Sequence, residues 1–467
     1  MAEFEGNLIS LMVMTDAYKQ THWMQYPAGT KKIYSYLESR GGTFDNTVFF
    51  GLHMILKQYF VGKVIDSYML EETLDFCTKV FGDETYFNYD GWAYICDELE
   101  GRLPLMIKAV PEGTVVPNRN VLMTVENTDE KTPWLTNFFE PLLLHTWYPI
   151  TVATLSREIR KMLSRYTSVA GEEVSPFHLN DFGFRGTASV TDAGRGGSAH
   201  LLSFQGTDNL VGIQYAMKYY GAQVCGFSVM AAEHSTVTAY GRDNEIKAYE
   251  NILDRTPEDK TVSIVCDSYD AVNAVDNIFG RILKEKILAR SGKTVIRPDS
   301  GDPVVMAETT LELLWKHFGG HINEKGYKVL DPHVGVIYGD YIDYNMIQKI
   351  LDQVVVKSKF APSNIIFGMG GALLQKVNRD TQGMSFKCSA AYVDGEWRDV
   401  YKQPKTDPFK NSKRGRLRLG KVCGGNGCYE TFPLGSGTHD ELVTVFKDGE
   451  LLVDYKFEDI RRRADIV

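Results

Sequence analysis

Residues 364–387 read NIIFGMGGALLQKVNRDTQGMSFK, and the fold prediction starts from this stretch. Residues 364–367 have the apolar pattern of a short buried strand, glycine-rich residues 368–371 interrupt it, and a helical pattern begins at residue 372. Glycines let the backbone approach an anion closely, and the N–H groups at a helix start point towards it. The stretch predicts a strand-turn-helix unit that is either a phosphate cradle or ordinary glycine-rich packing.

Three polar side chains follow this turn within the same stretch. Arg379 offers a planar guanidinium, Ser385 a hydroxyl and Lys387 a point charge, and all three donors suit a phosphate. Their proximity in sequence favours the phosphate cradle but leaves the packing alternative open.

The same alternation of strand and helix recurs upstream, from residue 178 onwards. Strand patterns occupy residues 178–183, 262–267, 294–299, 334–340 and 365–368, with helical patterns at 232–253, 271–288 and 304–317. Repeated strand-helix units imply parallel strands. We therefore expect an α/β fold whose core is an irregular parallel barrel of the TIM type.

Charged residues stand where these predicted strands end. They are Asp181, Asp267, Arg297, Asp299 and Asp340. In parallel α/β folds the active site lies at the carboxyl ends of the strands. Asp267 and Asp340 could instead cap the helices that follow them. Capping is a weaker explanation for Arg297 and Asp299, which flank a proline. The strand ends therefore predict a site.

The segments on either side of the barrel have a different pattern. Residues 104–125 contain strands separated by turn signals, and Asp-Gly pairs at 394–395 and 448–449 are typical of hairpins. We expect an additional antiparallel α+β domain formed by the N- and C-terminal segments. The predicted regions are 1–150, an α+β region with a small antiparallel sheet; 151–388, the barrel core; and 389–467, an antiparallel segment that packs back on the first region.

Composition narrows the class of protein. The 467 residues are 43% hydrophobic and 24% charged, which is typical of a globular chain with more than one domain. The net charge of -9 argues against broad binding to nucleic acid or an anionic membrane. Seven cysteines, an odd number, suggest reduced thiols, and no stretch resembles a signal peptide or a membrane span. We expect a cytoplasmic protein without nucleic-acid or membrane partners.

The residues at the barrel mouth suit a magnesium-bound, phosphorylated sugar. Arg185 and Arg297 can donate to oxyanions, while Asp267 and Asp299 can orient ribose hydroxyls or a hydrated metal ion. A flat ring could stack on an aromatic side chain.

Four further side chains are ambiguous from the residues alone. Phe182 and Tyr18 are candidate stacking faces, although a core position is the better explanation for Phe182 without further information. Asp208 lies in a turn signal and could cap a helix, and His234 at a predicted helix start could be structural.

In sequence the chain resembles the nicotinamide phosphoribosyltransferase family nearly from end to end. The matching segments are TDAYKQTHWMQYP, YSYLESR, VFFGL, IKAVPEGTVVPNRNVLMTVENTD, WYPITVAT, LNDFGFRG, FQGTDN, AAEHSTVTAYG, CDSYD, VIRPDSGDP, GMGGALLQKVNRD and SFKCS. So many matches in order favour this family over the nicotinate and quinolinate enzymes.

The resemblance implies transfer of phosphoribose from phosphoribosyl pyrophosphate (PRPP) to nicotinamide, giving nicotinamide mononucleotide and pyrophosphate in NAD salvage. It implies magnesium as cofactor, and ATP as a coupled phosphoryl donor that need not be strictly required. It also implies a homodimer in which each active site uses both chains.

The family's motifs assign a role to each matching residue. The catalytic set implied is His234, Asp267, Arg297 and Asp299, with Asp267 and Asp299 holding the metal directly or through water. The nicotinamide set implied is Phe182, Asp208, Arg297 and Tyr18 of the partner subunit. The set implied for PRPP, ribose and phosphate is Asp16, Arg185, Gly339, Asp340, Gly370, Gly371, Arg379, Ser385, Lys387, Lys402 and Lys410. By this resemblance His234 is the residue that ATP phosphorylates.

Two alternatives stay open at this point. A nicotinate phosphoribosyltransferase would use the same machinery with another base, but Asp208 would repel the carboxylate of nicotinate. A non-catalytic binding or signalling protein on the same fold need not retain the full charged set. The sequence departs from the familiar phosphate loop at Met369, which leaves the fine shape of that loop open.

Overall fold

The computed structural model describes residues 9–406, 411–422, 428–437 and 439–465. The chain forms two compact units. The first unit consists of residues 1–154, 218–222 and 378–464, and the second of residues 155–217, 223–377 and 465–467. Each unit is therefore assembled from segments that are distant in sequence.

The strands in chain order are β1 Thr30–Ser39, β2 Asn46–Val48, β3 Leu105–Ala109, β4 Val115–Pro117, β5 Val121–Asn127, β6 Leu179–Asp181, β7 Gly206–Thr207, β8 Met230–Ala231, β9 Val262–Val265, β10 Thr294–Arg297, β11 Gly320–Ile322, β12 Lys328–Leu330, β13 Val334–Tyr338, β14 Ile365–Met369, β15 Met384–Val393, β16 Glu396–Asp399, β17 Leu417–Lys421, β18 Tyr429–Pro433, β19 Val443–Lys447 and β20 Glu450–Leu451.

The α-helices are α1 Leu52–Tyr59, α2 Ser67–Phe81, α3 Tyr89–Asp97, α4 Leu135–Phe138, α5 Glu140–Leu144, α6 Trp147–Val169, α7 Val190–His200, α8 Leu210–Tyr220, α9 His234–Thr238, α10 Glu245–Arg255, α11 Ala271–Asn273, α12 Lys284–Leu288, α13 Pro303–Phe318, α14 Tyr344–Leu351, α15 Gly371–Leu374 and α16 Phe457–Ala464. Residues 274–282 and 352–357 are π-helical. Short 3-10 turns are at 11–13, 17–24, 84–86, 184–186, 242–244, 362–364 and 379–382.

The first unit is built on a seven-stranded sheet in the order β16-β15-β1-β5-β3-β19-β20. Its strand pairs are antiparallel, and the ten-residue strand β1 pairs with both β15 and β5. Tyr36 and Leu37 of β1 are fully buried in its core. Because β15, β16, β19 and β20 come from the C-terminal part of the chain, the prediction of an antiparallel domain formed by N- and C-terminal segments is confirmed.

The second unit is built on a seven-stranded parallel sheet in the order β7-β6-β14-β13-β10-β9-β8. Every residue of β9 and β13 is buried, as expected for parallel strands covered on both faces. A parallel bridge between Gly206 and Phe227 joins β7 to the segment that continues into β8. The sheet therefore curls round towards closure, and the predicted irregular barrel is confirmed.

The helices of the barrel begin and end where the sequence places caps. Asp302 accepts hydrogen bonds from two N–H groups at the start of α13, Pro303 occupies its first turn, and Gly319 follows its last residue. The predicted helix 232–253 is instead split into α9 and α10. Gly241 lies between them with φ of 78°, a backbone conformation that glycine adopts readily.

The opening stretch folds as a strand and a single helical turn. Strand β14 continues to Met369, two residues beyond the predicted end, and pairs with β13 and β6. Helix α15 has four residues and is shorter than predicted. From residue 378 the chain belongs to the first unit.

The cysteines differ in oxidation state. Cys77, Cys96, Cys225, Cys266 and Cys388 are free thiols, whereas Cys428 is disulfide-bonded. The expectation of reduced thiols is therefore wrong at Cys428. Within the described ranges, no helix is both long and apolar enough to cross a membrane.

Candidate active site

Phe182 lies at the carboxyl end of β6 with its ring against neighbouring strands. Its N–H donates to the carbonyl of Met369 in β14 at 3.1 Å. A methyl group on Gly368 would lie 2.0 Å from Cε2 of the ring, and one on Gly339 would lie 3.4 Å from the same atom. Glycine at 368 is therefore required for the ring to approach the sheet. The side chain is half-buried, which leaves part of it accessible at the barrel mouth.

Asp208 follows β7 and is exposed. Its N–H donates to the carbonyl of Asp181 at 3.0 Å, and the Ser228 hydroxyl donates to its Oδ1 at 2.5 Å. Asp208 belongs to neither helix nor strand, and α8 begins two residues later. An accessible carboxylate oriented by a neighbouring hydroxyl can accept a hydrogen bond from an amide NH₂.

Asp181 is a buried residue that supports both Phe182 and Asp208. Its carboxylate accepts hydrogen bonds from the Gly183 N–H at 2.7 Å and from Nδ2 of Asn209 at 3.0 Å. Burial raises the pKa of Asp181 to about 6, although both hydrogen bonds oppose the rise. Through its side chain and carbonyl, Asp181 fixes the turn after Phe182 and the backbone of Asp208.

His234 is the first residue of α9 and is paired with Asp267, which follows β9. Nε2 of His234 lies 2.9 Å from Oδ1 of Asp267. The carboxylate is nearly buried while the imidazole is half-exposed. No partner for the other ring nitrogen is seen among the described residues, so that nitrogen is available for chemistry.

Charged groups from three more strand ends share an electrostatic environment with this pair. Burial raises the pKa of Asp299, Asp267 adds to the rise, and Arg297, His234 and Arg185 oppose it. The pKa of Asp340 is raised by burial and then by Asp299 and Asp267. The guanidinium of Arg297 donates to the carbonyl of Ala232 at 3.1 Å, while its buried Nε has no partner in the described part of the chain.

The donor set can be tested against a divalent cation. Asp267, Asp299 and Asp340 are close enough for their charges to affect one another. The described residues contain no group of three or more His, Cys, Asp or Glu side chains that could hold a metal by themselves. Magnesium is usually held by one or two carboxylates together with water and substrate phosphates. The residues therefore fit a magnesium ion that is shared with a phosphorylated ligand.

Gly370 and Gly371 lie at the start of α15, beside the turn that carries Arg185. A methyl group on Gly186 would lie 3.2 Å from Cα of Gly371, so the two backbones approach closely. A methyl group on Gly371 itself would meet nothing within 4 Å. The free space at Gly371 suits a ligand that contacts the backbone.

The predicted phosphate donors Arg379, Ser385, Lys387 and Lys402 belong to the first unit. Burial lowers the pKa of Lys387, and the neighbouring cations Arg40, Arg379 and Lys402 lower it further against the opposing charge of Glu140. The Ser385 hydroxyl is buried without a hydrogen-bond partner among the described residues. The four cations Arg40, Arg379, Lys387 and Lys402 thus form a basic cluster.

Two further predicted residues of the first unit, Tyr18 and Asp16, lie at the 3-10 segment Ala17–Met24. Tyr18 is exposed, with its ring edge-on to His22 at a centroid distance of 5.0 Å. Asp16 immediately precedes the segment and is also exposed. Lys410 lies outside the described residues.

Two residues of the site were missed by the sequence reasoning, and one was left without a role. Arg40 joins the basic cluster from the end of β1, Ser228 orients Asp208, and Asp181 holds the turn behind them. Arg40 stands directly after the apolar pattern of β1, just as Arg297 stands at the end of the pattern of β10. An arginine at the end of a predicted strand was the signal that could have identified Arg40. A serine in a loop gives no such signal.

Two protein-family models match the chain. The model described as the nicotinate phosphoribosyltransferase (NAPRTase) family matches residues 177–450. The model described as the N-terminal domain of nicotinamide phosphoribosyltransferase matches residues 10–107.

Curated relatives and a solved structure are also similar to the chain. A nicotinamide phosphoribosyltransferase of Xanthomonas campestris pv. campestris (strain 8004) is 45% identical and covers 98% of this chain and 98% of its own length. One of Acinetobacter baylyi is 32% identical over 96% of this chain and 95% of its own. The crystal structure of nicotinate-nucleotide pyrophosphorylase from Pyrococcus furiosus shares the fold, with a TM-score of 0.61 and 16% identity over 99% of this chain and 97% of that chain.

Proposed function

The chain belongs to the nicotinamide phosphoribosyltransferase family, and on this premise we propose how its residues carry out the reaction. The enzyme transfers phosphoribose from PRPP to nicotinamide, giving nicotinamide mononucleotide and pyrophosphate in NAD salvage. The observation that carries the proposal is that the half-buried Phe182 and the exposed Asp208 follow the paired strands β6 and β7, at the same sheet edge as the charged strand ends.

Nicotinamide stacks on Phe182, and Asp208 accepts a hydrogen bond from its carboxamide NH₂. Stacking contributes roughly 0.5–1.5 kcal/mol beyond burial. Ser228 holds the carboxylate of Asp208 in one orientation. Nicotinate would bring a second carboxylate against Asp208, so the group that holds the amide also rejects the acid.

The sugar and its phosphates lie along the remaining strand ends. Asp299 and Asp340 face the ribose hydroxyls, Arg185 and Arg297 neutralise the pyrophosphate, and the open backbone of Gly371 receives the 5′-phosphate. Asp267 and Asp299 would hold magnesium directly or through water, and the ion would add positive charge at the leaving oxygens.

The chemistry then follows from charge. Cleavage of the anomeric C–O bond leaves positive charge on the ribose and negative charge on pyrophosphate. The two arginines stabilise the leaving group while Phe182 holds the pyridine nitrogen in line for attack. Because that nitrogen already carries a lone pair, the protein needs to supply neither a nucleophile nor a general base.

His234 couples ATP to this reaction. Asp267 engages one imidazole nitrogen and orients the ring, which leaves the other nitrogen to accept the phosphoryl group of ATP. The half-exposed position of the imidazole gives ATP access. We propose that the coupling strengthens substrate binding without being strictly required for turnover.

The remaining donors serve a homodimer with shared active sites. Each barrel would receive Tyr18 of the partner subunit as the second stacking ring. The partner's basic cluster, together with Asp16 and Ser385 of the partner subunit, would reach the phosphates. The uncommitted Ser385 hydroxyl and the crowding of cations around Lys387 support a role in binding an anion. We place the enzyme in the cytoplasm.

A competition between bases tests the function. Purified protein is incubated with PRPP, magnesium and either nicotinamide or nicotinate, with and without ATP, and pyrophosphate release is measured. We expect release with nicotinamide, and we expect Asp208→Ser to admit more nicotinate. Ser228→Ala is the matched control, because it removes the orienting hydroxyl but keeps the carboxylate. An unchanged base preference in Asp208→Ser would contradict the specificity assignment.

Mixing two inactive variants tests the shared site. Arg379→Ala and Asp299→Asn each disable one half of the proposed site, so a heterodimer of the two retains one intact site. We expect activity to return on mixing. If heterodimers form and no activity returns, the shared-site assignment is wrong.

A further inference from the structure

A second cleft lies at the opposite end of the parallel strands. Its volume is about 600 Å³, and residues around the starts of β10, β13 and β14 line it together with the β11–β12 hairpin. Lys293 immediately precedes β10, whereas Asp299 of the proposed active site follows the end of the same strand. Four strand residues span roughly 13 Å, so this cleft is separate from the barrel mouth.

Lys293 is the unusual group in this cleft. Its side chain crosses β13 at Gly335, where a methyl group would lie 3.4 Å from its Cδ and 3.8 Å from Nζ. The side chain is half-buried, and burial lowers its pKa. Among the described residues, its ammonium has no hydrogen bond or ion pair.

Three other lysines of the same unit are paired with carboxylates. Lys286 pairs with Asp254 at 2.7 Å, Lys316 with Asp276 at 2.7 Å, and Lys328 with Glu312 at 2.9 Å. These lysines are neutralised within the protein, whereas Lys293 is partly desolvated without an anion.

Three other polar side chains of the cleft are already engaged, whereas His321 of the β11–β12 hairpin is exposed. Asn364 donates to the Lys328 carbonyl and accepts from the Leu330 N–H. The Ser363 hydroxyl donates to Glu172, and Asp331 accepts from the backbone and the ring of His333. Lys293 is thus the lining side chain that is both partly buried and without a hydrogen-bond partner among the described residues, and it carries a single charge.

We propose that this cleft binds a small monoanionic carboxylate with an apolar body, and that Lys293 is its counter-ion. A carboxylate beside a partly desolvated ammonium gains more Coulomb energy than it would in water. Phe318, Pro332 and Val334 in the lining offer apolar surface for the body of the ligand. A phosphate dianion would call for more positive charge than the one lysine that lines the cleft supplies.

Calorimetric titration of the full chain with benzoate tests the proposal, with benzamide as the neutral probe of the same shape. We expect benzoate to bind the wild type and to bind Lys293→Met and Lys293→Gln about tenfold or more weakly, whereas Lys293→Arg retains most of the affinity. Benzamide binding should be the same in all four proteins. Phosphoribosyl transfer by Lys293→Met should remain unchanged, which verifies that the variant is folded.

Phe182→Ala separates the two clefts, because it removes the stacking ring of the proposed active site and leaves Lys293 in place. We expect its benzoate affinity to stay within about twofold of the wild type. Loss of benzoate binding in Phe182→Ala but not in the Lys293 variants would assign the binding to the active site and overturn the proposal. A benzoate Kd above about 10 mM in the wild type would overturn it as well.

Discussion

Two histidine–carboxylate pairs of nearly equal length lie in different surroundings. In the first unit, Nδ1 of His53 lies 2.8 Å from Oε1 of Glu112, and the two side chains are 1% and 0% exposed. In the second unit, Nε2 of His234 lies 2.9 Å from Oδ1 of Asp267, with exposures of 44% and 6%. The distance between the imidazole nitrogen and the carboxylate oxygen therefore does not distinguish the pairs.

The second imidazole nitrogen distinguishes them. Nε2 of His53 lies 2.8 Å from the carbonyl of Val453, and Glu112 also accepts from the backbone N–H groups of His53 and Gly51. That pair ties the start of α1 to the C-terminal segment. In the part of the chain that the structure describes, His234 has one nitrogen with a partner and one without. A fully engaged pair is expected to stabilise the fold, and a half-engaged, accessible pair is expected to react.

The largest expected effect is on stability. Removing the partner of a buried carboxylate typically costs about 3–5 kcal/mol, because the carboxylate is left buried without compensation. We expect His53→Ala to lower the free energy of unfolding by that amount, and His234→Ala to change it by about 0.5 kcal/mol or less, as is usual for an exposed position. Urea unfolding followed by circular dichroism measures both.

The two alanine variants are matched, since each removes one imidazole from one carboxylate. Equal destabilisation would show that both pairs are structural. In that case, the partner of the second imidazole nitrogen would not distinguish a structural histidine from a reactive one.

The next effect is on the pH dependence of the free energy of unfolding, to which two buried carboxylates are expected to contribute with opposite signs. Burial raises the pKa of Glu112, but His53 and the backbone N–H groups of His53 and Gly51 outweigh burial and hold the pKa below its ordinary value. Its stabilisation is therefore present above the unfolded pKa of 4.5 and is lost as pH falls. Asp181 has no histidine partner, and burial raises its pKa from 3.8 to about 6.

Because the folded state holds the Asp181 proton more tightly, Asp181 stabilises the fold most at low pH. That contribution is lost as pH rises from about 4 to about 6, and it is on the order of 3 kcal/mol. We expect the stability of the wild type relative to Asp181→Asn to fall between pH 4 and pH 7. Relative to Glu112→Gln it should rise. Denaturant unfolding at several pH values measures both differences, and two slopes of the same sign would contradict the assigned roles.

The barrel was predictable from sequence because its strands are buried on both faces. Strands β9, β10 and β13 therefore read as apolar runs, and each begins at the predicted residue. The charged residues after these runs were predictable for the same reason, since an abrupt change from apolar to charged marks the strand end. Strands β7 and β8 have two residues each, too few to show any period.

The contacts between distant segments were not predictable from local pattern. Arg40 and Lys387 share the basic cluster although about 350 residues separate them. His53 and Val453 meet across 400 residues, and neither His53 nor His234 carries a local signal that tells the structural histidine from the reactive one. The partner of each ring nitrogen, which only the folded structure defines, makes that distinction.

The smallest expected effect concerns ATP. If the uncommitted nitrogen of His234 accepts the phosphoryl group, His234→Ala should lose stimulation by ATP while retaining turnover in its absence. We expect the loss to be about tenfold, or about 1.4 kcal/mol of transition-state stabilisation. The measurement is pyrophosphate release at fixed nicotinamide and PRPP, with and without ATP.

His333→Ala is the matched control in the same unit, because Nδ1 of His333 lies 2.6 Å from Asp331 and both residues are outside the barrel mouth. It should keep the ATP stimulation of the wild type. Incubation with radiolabelled ATP, quenched in alkali because phosphohistidine is labile in acid, should label the wild type and His333→Ala but not His234→Ala. Label on His234→Ala would place the phosphoryl group elsewhere. The half-engaged imidazole would then be a positioning residue, and its free nitrogen would contact the substrate without forming a covalent bond.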